Sequence, residues 1–277
     1  MALSSAANTI DIDSAYALPP GAVAQFNTQG FIKLRDVLSP ATLAHYGAEI
    51  TRLTVALSTQ HVPLAERSTY DKAFLQGMNL WKCSTLVREF VLGRRLGRIA
   101  AEVLGVRGVR LYHDQSLYKE PGGGITPAHA DQYYWPLASD RVATAWIPLQ
   151  AVPRHKGPLG FYAGSQTVAF GRDLGISDDS EREITRHMEA GGFTFCEEAY
   201  ALGEVSFHLG WTAHRAGVNA SSEPRSVMTV IYMDAAMRLN EPANPMQRND
   251  WNRWCPGAVI GETIATPLNP VIYSGDG

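Results

Sequence analysis

Three side chains have the types and spacing to hold a metal: His129 and Asp131, separated by Ala130, and His214 far downstream, with Arg225 following it. In extended backbone successive side chains leave opposite faces, so residues i and i+2 share one. His129 and Asp131 would then aim an imidazole and a carboxylate at one point, and a ligand from a distant strand would complete one face of an octahedron. Two neutral nitrogens and one hard oxygen leave three positions open, the arrangement with which non-haem Fe(II) centres take a chelating co-substrate and then O2. His-x-Asp alone is a common pattern, and a lone histidine is more often a surface or hydrogen-bonded core residue than a ligand. Context has to carry the reading.

That context begins with Lys119-Glu120-Pro121-Gly122-Gly123-Gly124-Ile125-Thr126-Pro127, which would break a helix and deliver the chain into a strand. Tyr133, Tyr134 and Trp135 on the far side suit a pleated surface. Upstream the chain reads as helical. Residues 20–29 predict a short helix and Phe31 to Arg35 a strand. Ser39 and Pro40 form an N-cap and first helical position for a run in which Leu43, Tyr46, Ile50, Leu53 and Leu57 recur at helical spacing. The same periodicity runs from Leu86 to Leu104, with Gly105 as its C-cap and Arg88, Arg94, Arg95 and Arg98 as a solvated face.

From Gly108 onward short alternating segments take over, at 110–118, 128–134, 142–149, 159–163, 204–209, 211–215 and 226–234. Helices first, then about eight short strands bounded by turns, predict an α+β fold built on a jelly roll. The expected organisation is a single domain over 1–277, with mainly helical support in 1–107, the jelly-roll core in 108–236 and a C-terminal tail in 237–277. The tail, with Trp251 and Trp254, is expected to pack on the barrel rather than meet substrate. Arg172 to Gly192, polar and glycine-flanked, reads equally as a solvated helix and as a mobile cover.

Composition points to an ordinary enzyme. The 277 residues are 45% hydrophobic and 18% charged with a net charge of −3. No apolar run approaches the ~20 residues that cross a bilayer, and no basic stripe suits nucleic acid. Neither a membrane nor a nucleic-acid partner is expected. The first residues lack the charged and apolar regions of a secretory signal, so cytoplasmic residence is the expectation. Cys83, Cys196 and Cys255 are few, odd in number and unevenly spaced, which argues against a disulfide framework or zinc knuckle.

The motifs together resemble the phytanoyl-CoA dioxygenase family of Fe(II)/2-oxoglutarate oxygenases over most of the length. The residues concerned are Gly30-Phe31 with its following helix, His129-Ala130-Asp131, Ala145-Trp146-Ile147-Pro148-Leu149, Gly157-Pro158-Leu159, and Gly164-Ser165-Gln166. The distal group is Gly203-Glu204-Val205-Ser206-Phe207, then His214-Arg215-Ala216-Gly217-Val218-Asn219, then Arg225. The resemblance implies a double-stranded β-helix core with N-terminal helices on one side. It further implies that His129, Asp131 and His214 ligate Fe(II), and that Arg225 holds the distal carboxylate of 2-oxoglutarate through its planar, permanently charged fork. Gln115 and Lys119, which share parity on their strand, would approach the co-substrate from its other end, and Trp146 would line the pocket.

Three positions depart from the family pattern: Ala130 where Gln is frequent, Ala216 where Ser is common, and Gln166 where His often ends the turn. None removes a ligand, and the retained Asp131 disfavours halogenation. His208 is the rival to His214, but only His214 has Asn219 and Arg225 at the motif's spacing. His113 reads as a hydrogen-bonded barrel residue, and His45, His61, His155 and His187 as exposed.

The implied activity is oxidation of an unactivated C–H bond of a small organic molecule, with Fe(II), 2-oxoglutarate and O2 as cofactor and co-substrates. Hydroxylation of a secondary-metabolite or lipid-like substrate is the primary expectation, and ring closure, desaturation or epimerisation by the same chemistry the alternative. A zinc hydrolase or a non-catalytic jelly-roll binding protein is the second alternative, although the first would leave Arg225 without a purpose and the second has no need for an open metal face. An aromatic rim of Tyr133, Tyr134, Trp135 and Phe161 is expected to meet substrate.

Overall fold

The computed structural model describes residues 9–58 and 60–275. The N-terminal part consists of α1 (Ala22–Gln29), β1 (Phe31–Leu34), α2 (Pro40–Ala56), α3 (Thr69–Ala73), β2 (Leu75–Met78), α4 (Thr85–Val91) and α5 (Arg94–Leu104). Ser39 caps α2 as its sequence predicts, its hydroxyl accepting from Thr42 N–H at 3.0 Å with Pro40 next in line. The helical periodicity of 86–104 is split into two helices at Gly93. A Cβ there would collide with the Ile12 side chain, so the N-terminal segment lies where a continuous helix would need its side chain. Gly105 ends α5 in the left-handed conformation at φ 64°.

The remaining chain is β3 (Gly108–Tyr118), β4 (Thr126–His129), β5 (Val142–Pro148), β6 (Leu159–Tyr162), α6 (Asp178–Ala190), β7 (Phe195–Glu197), β8 (Val205–Leu209), β9 (His214–Ala216), β10 (Val227–Asp234), α7 (Pro245–Trp254) and β11 (Val271–Ser274). A seven-stranded sheet runs β1-β8-β5-β10-β3-β11, with β2 also paired to β3, and a four-stranded sheet runs β4-β9-β6-β7. Together they form the double-stranded β-helix. The short strands β2, β7 and β11 lie outside the segments that alternation alone predicts. The predicted 128–134 strand stops at His129, and a 3-10 turn over Asp131–Tyr134 takes its place.

The larger sheet is buried on both faces, so its central strands are nearly continuously apolar. Ala143, Ala145 and Ile147 of β5, Phe207 of β8 and Val230 and Tyr232 of β10 pack outward against Phe26, Ile50, Phe90 and Ile99 of the helices. The alternate residues, among them Thr144, Trp146, His208 and Thr229, face a cavity between the sheets. The helical layer thereby fixes the register that decides which side chains reach the site. Among the described residues, no helix is long and apolar enough to cross a membrane.

Candidate metal centre

The β-ladder places His129 directly opposite His214, with ring centroids 4.3 Å apart. Ala130 is extended (φ −123°, ψ 128°), so Asp131 returns to the side of His129 although it opens the 3-10 turn. Asp131 Oδ1 lies 3.5 Å from His129 Nε2 and 3.6 Å from His214 Nε2. One ligand atom from each of the three residues falls within 4.8 Å of the others, a span that a single ion can bridge.

The ring tautomers suit ligation. His129 Nδ1 sits 2.6 Å from the Pro127 carbonyl and His214 Nδ1 2.9 Å from the Thr212 carbonyl. A carbonyl only accepts, so each Nδ1 carries the hydrogen and each Nε2 keeps its lone pair toward the centre. Burial, reinforced by the neighbouring His129, pushes the His214 imidazolium down to about 3, which keeps the ring neutral at any working pH. Burial works to raise the Asp131 carboxyl, but contacts that include the His208 hydrogen bond outweigh it and hold the group well below the usual carboxylate range.

His208 has a different place. Its Nε2 meets Asp131 Oδ2 at 3.2 Å, the same oxygen to which Thr144 donates from 3.1 Å. These two partners occupy one carboxylate oxygen and leave Oδ1 facing the His129 and His214 nitrogens.

Arg225 is 1% exposed, yet among the described residues it has no carboxylate partner. One Nη1 hydrogen goes to the Gly157 carbonyl, the guanidinium lies 5.4 Å from the Trp146 ring, and the buried Nε has no acceptor among the described residues. Gly157 has φ 66°, and a Cβ there would collide with the Gly217 carbonyl, so only glycine brings its own carbonyl to this cation. Burial lowers the Arg225 guanidinium to about 10. A desolvated guanidinium with spare donors, on the wall of the cavity that holds the triad, is a receptor for an anionic ligand.

Lys119 is also fully buried, but it lies outside that cavity wall. Its Nζ donates to Gly124 O at 2.6 Å, Gly217 O at 2.7 Å and Thr126 Oγ1 at 3.3 Å, which uses all three hydrogens. Burial, with Arg225 close by, works to push it down to about 6, while the three acceptors around Nζ favour the ammonium. Asn219 is likewise structural, its amide bridging the carbonyls of Lys119, Glu120 and Glu223. Gln115 and Trp146 do line the cavity, Gln115 Oε1 accepting from Gln76 Nε2 at 2.9 Å.

The cavity has a volume of about 460 Å3. Tyr133, Tyr134 and Trp135 stand on its wall, whereas Phe161 does not; Phe161 stacks on Phe31 in the core at 4.4 Å. The tail expectation needs correction too. β11 packs on the barrel, but α7 supplies Met246, Asn249, Asp250 and Trp254 to the cavity. Tyr70, Phe74 and Met78 close it from the N-terminal part. The 172–192 segment contributes Gly175 and Ile176 and then forms the solvated helix α6. His113 faces the cavity and stacks on Trp254 at 4.7 Å, and burial lowers its imidazolium to about 4. Chain distance hid α7 and the Tyr70–Met78 segment, since neither carries a motif.

The pattern of one known family, phytanoyl-CoA dioxygenase (PhyH), matches residues 26–227. The chain belongs to that family. PhyH-family proteins are Fe(II)- and 2-oxoglutarate-dependent oxygenases, and the triad and the buried arginine fit both groups. Solved structures of similar fold include the non-heme alpha-ketoglutarate-dependent epimerase SnoN from nogalamycin biosynthesis, at 22% identity over 91% of this chain and 97% of that one, TM-score 0.73. The carbocyclase SnoK from the same biosynthesis shows 24% identity over 92% and 97%, TM-score 0.73. EctD from S. alaskensis, crystallised with 2-oxoglutarate and 5-hydroxyectoine, shows 17% identity over 93% of each chain, TM-score 0.70. At these identities the likeness is one of fold. No curated protein matches the chain in sequence.

Proposed function

We propose that this PhyH-family enzyme hydroxylates an unactivated C–H position of a small, largely apolar organic molecule in the cytoplasm. His129, Asp131 and His214 hold Fe(II), and Arg225 receives the distal carboxylate of 2-oxoglutarate. The observation that carries this reading is the buried Arg225, which has no carboxylate partner among the described residues, on the same cavity wall as the triad. A hydrolytic metal centre would have no use for that cation. The three cysteines are unpaired, as a reducing compartment keeps them.

When bound, Fe(II), 2-oxoglutarate and O2 supply C–H oxidation coupled to decarboxylation of the co-substrate to succinate. The chain's own residues do the positioning. The Pro127 and Thr212 carbonyls lock the ligand tautomers, and Thr144 with His208 turns the Asp131 carboxylate. Trp146 stands beside the Arg225 guanidinium, 5.4 Å from it, and supports the planar fork from which two hydrogens can meet a carboxylate. Gln115 faces the same space, while Lys119 supports the loop behind it. Tyr70, Phe74, Tyr133, Tyr134, Trp135 and Trp254 exclude water and take the apolar body of the substrate, and Asn249 and Asp250 offer it polar contacts.

Ring closure or epimerisation at the same centre is the second outcome, supported by the activities for which SnoK and SnoN are named. Turnover with candidate substrates under 18O2 tests both. One succinate and one labelled hydroxyl per product support hydroxylation, succinate without label in the product supports the second outcome, and product without succinate refutes the oxygenase reading.

A further inference from the structure

The strand that carries His129 contains an irregularity, and the residue that repairs it comes from outside the barrel. In the β4–β9 ladder Thr126 pairs with Ala216 and His129 with His214, so β4 has one residue more than β9 between the two pairs. Without that extra residue His129 would not stand opposite His214. The bulge leaves Pro127, which has no N–H, and Ala128, which the register leaves without a β9 partner. A buried N–H without an acceptor is costly.

The acceptor is Glu181 in the first turn of α6. Its Oε2 takes the Ala128 N–H at 2.6 Å, and its Oε1 takes an Arg215 Nη1 hydrogen at 2.5 Å. Ala128 immediately precedes His129, and Arg215 immediately follows His214. A single carboxylate thus ties together the two strands at the residues next to the two histidines. Ile184 and Met188, one and two turns further along α6, pack on Ala128 and Ala213, so the carboxylate is held on the strands by its own helix. The Arg215 guanidinium lies 4.7 Å from the Phe195 ring, which fixes the other end of the clamp.

We propose that Glu181 is a positioning residue for the metal ligands: by satisfying the bulged Ala128 and holding Arg215, it sets the separation of His129 and His214. The inference rests on the oxygenase reading of the triad. Glu183 serves as the control, because it lies on the same helix but bonds only to its neighbours Arg182 and Arg186.

The test is anaerobic Fe(II) titration of the full chain in the presence of 2-oxoglutarate, followed by the visible charge-transfer band, with thermal unfolding recorded alongside. Glu181→Ala should weaken Fe(II) binding about tenfold, the low end of what outer partners of metal ligands contribute. Glu181→Gln keeps the acceptor for Ala128 but gives up the charge facing Arg215, and should lose about threefold. Glu183→Ala should bind as the unaltered chain does. Equal Fe(II) affinity in Glu181→Ala and the unaltered chain overturns the proposal; should Glu181→Ala fail to fold, unaltered affinity in Glu181→Gln overturns it. An unaltered chain that shows no band at all refutes the oxygenase reading instead, so the two failures are distinct.

Discussion

Replacing Arg225 with methionine should strip the protein of most 2-oxoglutarate binding while leaving its fold about as stable as before. The two effects have separate origins. A bidentate guanidinium–carboxylate contact consists of two charge-assisted hydrogen bonds of roughly 1.5–3 kcal/mol each. Losing both costs at least about a hundredfold in affinity. In the ligand-free protein, however, the cation is buried with one carbonyl for company and an unpartnered Nε. The depression of Arg225 to about 10 corresponds to roughly 3 kcal/mol of destabilisation at neutral pH. Methionine relieves that cost but gives up the charge-assisted Gly157 bond, roughly 1.5–3 kcal/mol, and the Trp146 contact, roughly 1 kcal/mol. The expected balance is within about 1 kcal/mol of zero. Urea unfolding under nitrogen, with and without Fe(II) and 2-oxoglutarate, reads both effects. The unaltered chain should gain about 2.7 kcal/mol with co-substrate at a hundred times its Kd, and Arg225→Met should gain no more than about 0.4 kcal/mol from the same concentration. A variant that is stabilised by 2-oxoglutarate like its parent, or that is less stable without it by several kcal/mol, refutes the reasoning.

His214→Ala should abolish Fe(II) binding, whereas His208→Ala should weaken it about 10- to 100-fold without abolishing it, because His208 touches only Asp131 Oδ2; metal titration by equilibrium dialysis separates the two. Burial raises the Asp114 carboxyl from 3.8 to about 7 against the opposing bonds from Leu80 and Trp81 N–H. Its neutral form therefore favours the fold at acidic pH, and that contribution is lost as pH rises from about 4 through 7. Urea midpoints at pH 5 and pH 8 should differ in the unaltered chain by more than in Asp114→Asn, and an equal difference would dismiss the role of Asp114. With Asp131 supplying the anionic ligand, added chloride or bromide should yield no halogenated product by mass spectrometry.

The ligand set was legible because strand parity and the ladder act over short ranges: His129 and Asp131 need only one extended residue between them, and Ala130 is that residue. Ser39-Pro40 and Gly105 were legible for a similar reason, since caps are local chemistry. The sequence could not show that Asp131 leaves the strand for a 3-10 turn, because the turn is set by Gln132 N–H bonding to Gly210, far along the chain. The clamp by Glu181 and the cavity wall from α7 are products of packing between distant segments, and a polar helix with a solvated face looks the same in sequence with or without them. Lys119 had the parity expected of a cavity residue, but the Gly124 and Gly217 carbonyls draw its ammonium away from the wall. The break at Gly93 depends on Ile12, which periodicity within 86–104 cannot register.

The most direct test of the account is the anaerobic visible spectrum of the protein with Fe(II) and 2-oxoglutarate. A weak charge-transfer band is expected that requires both components, saturates at one iron and one 2-oxoglutarate per chain, and disappears in His129→Ala. Fe(II) binding without any 2-oxoglutarate-dependent band, or a site that takes Zn(II) and turns over without O2, would contradict it.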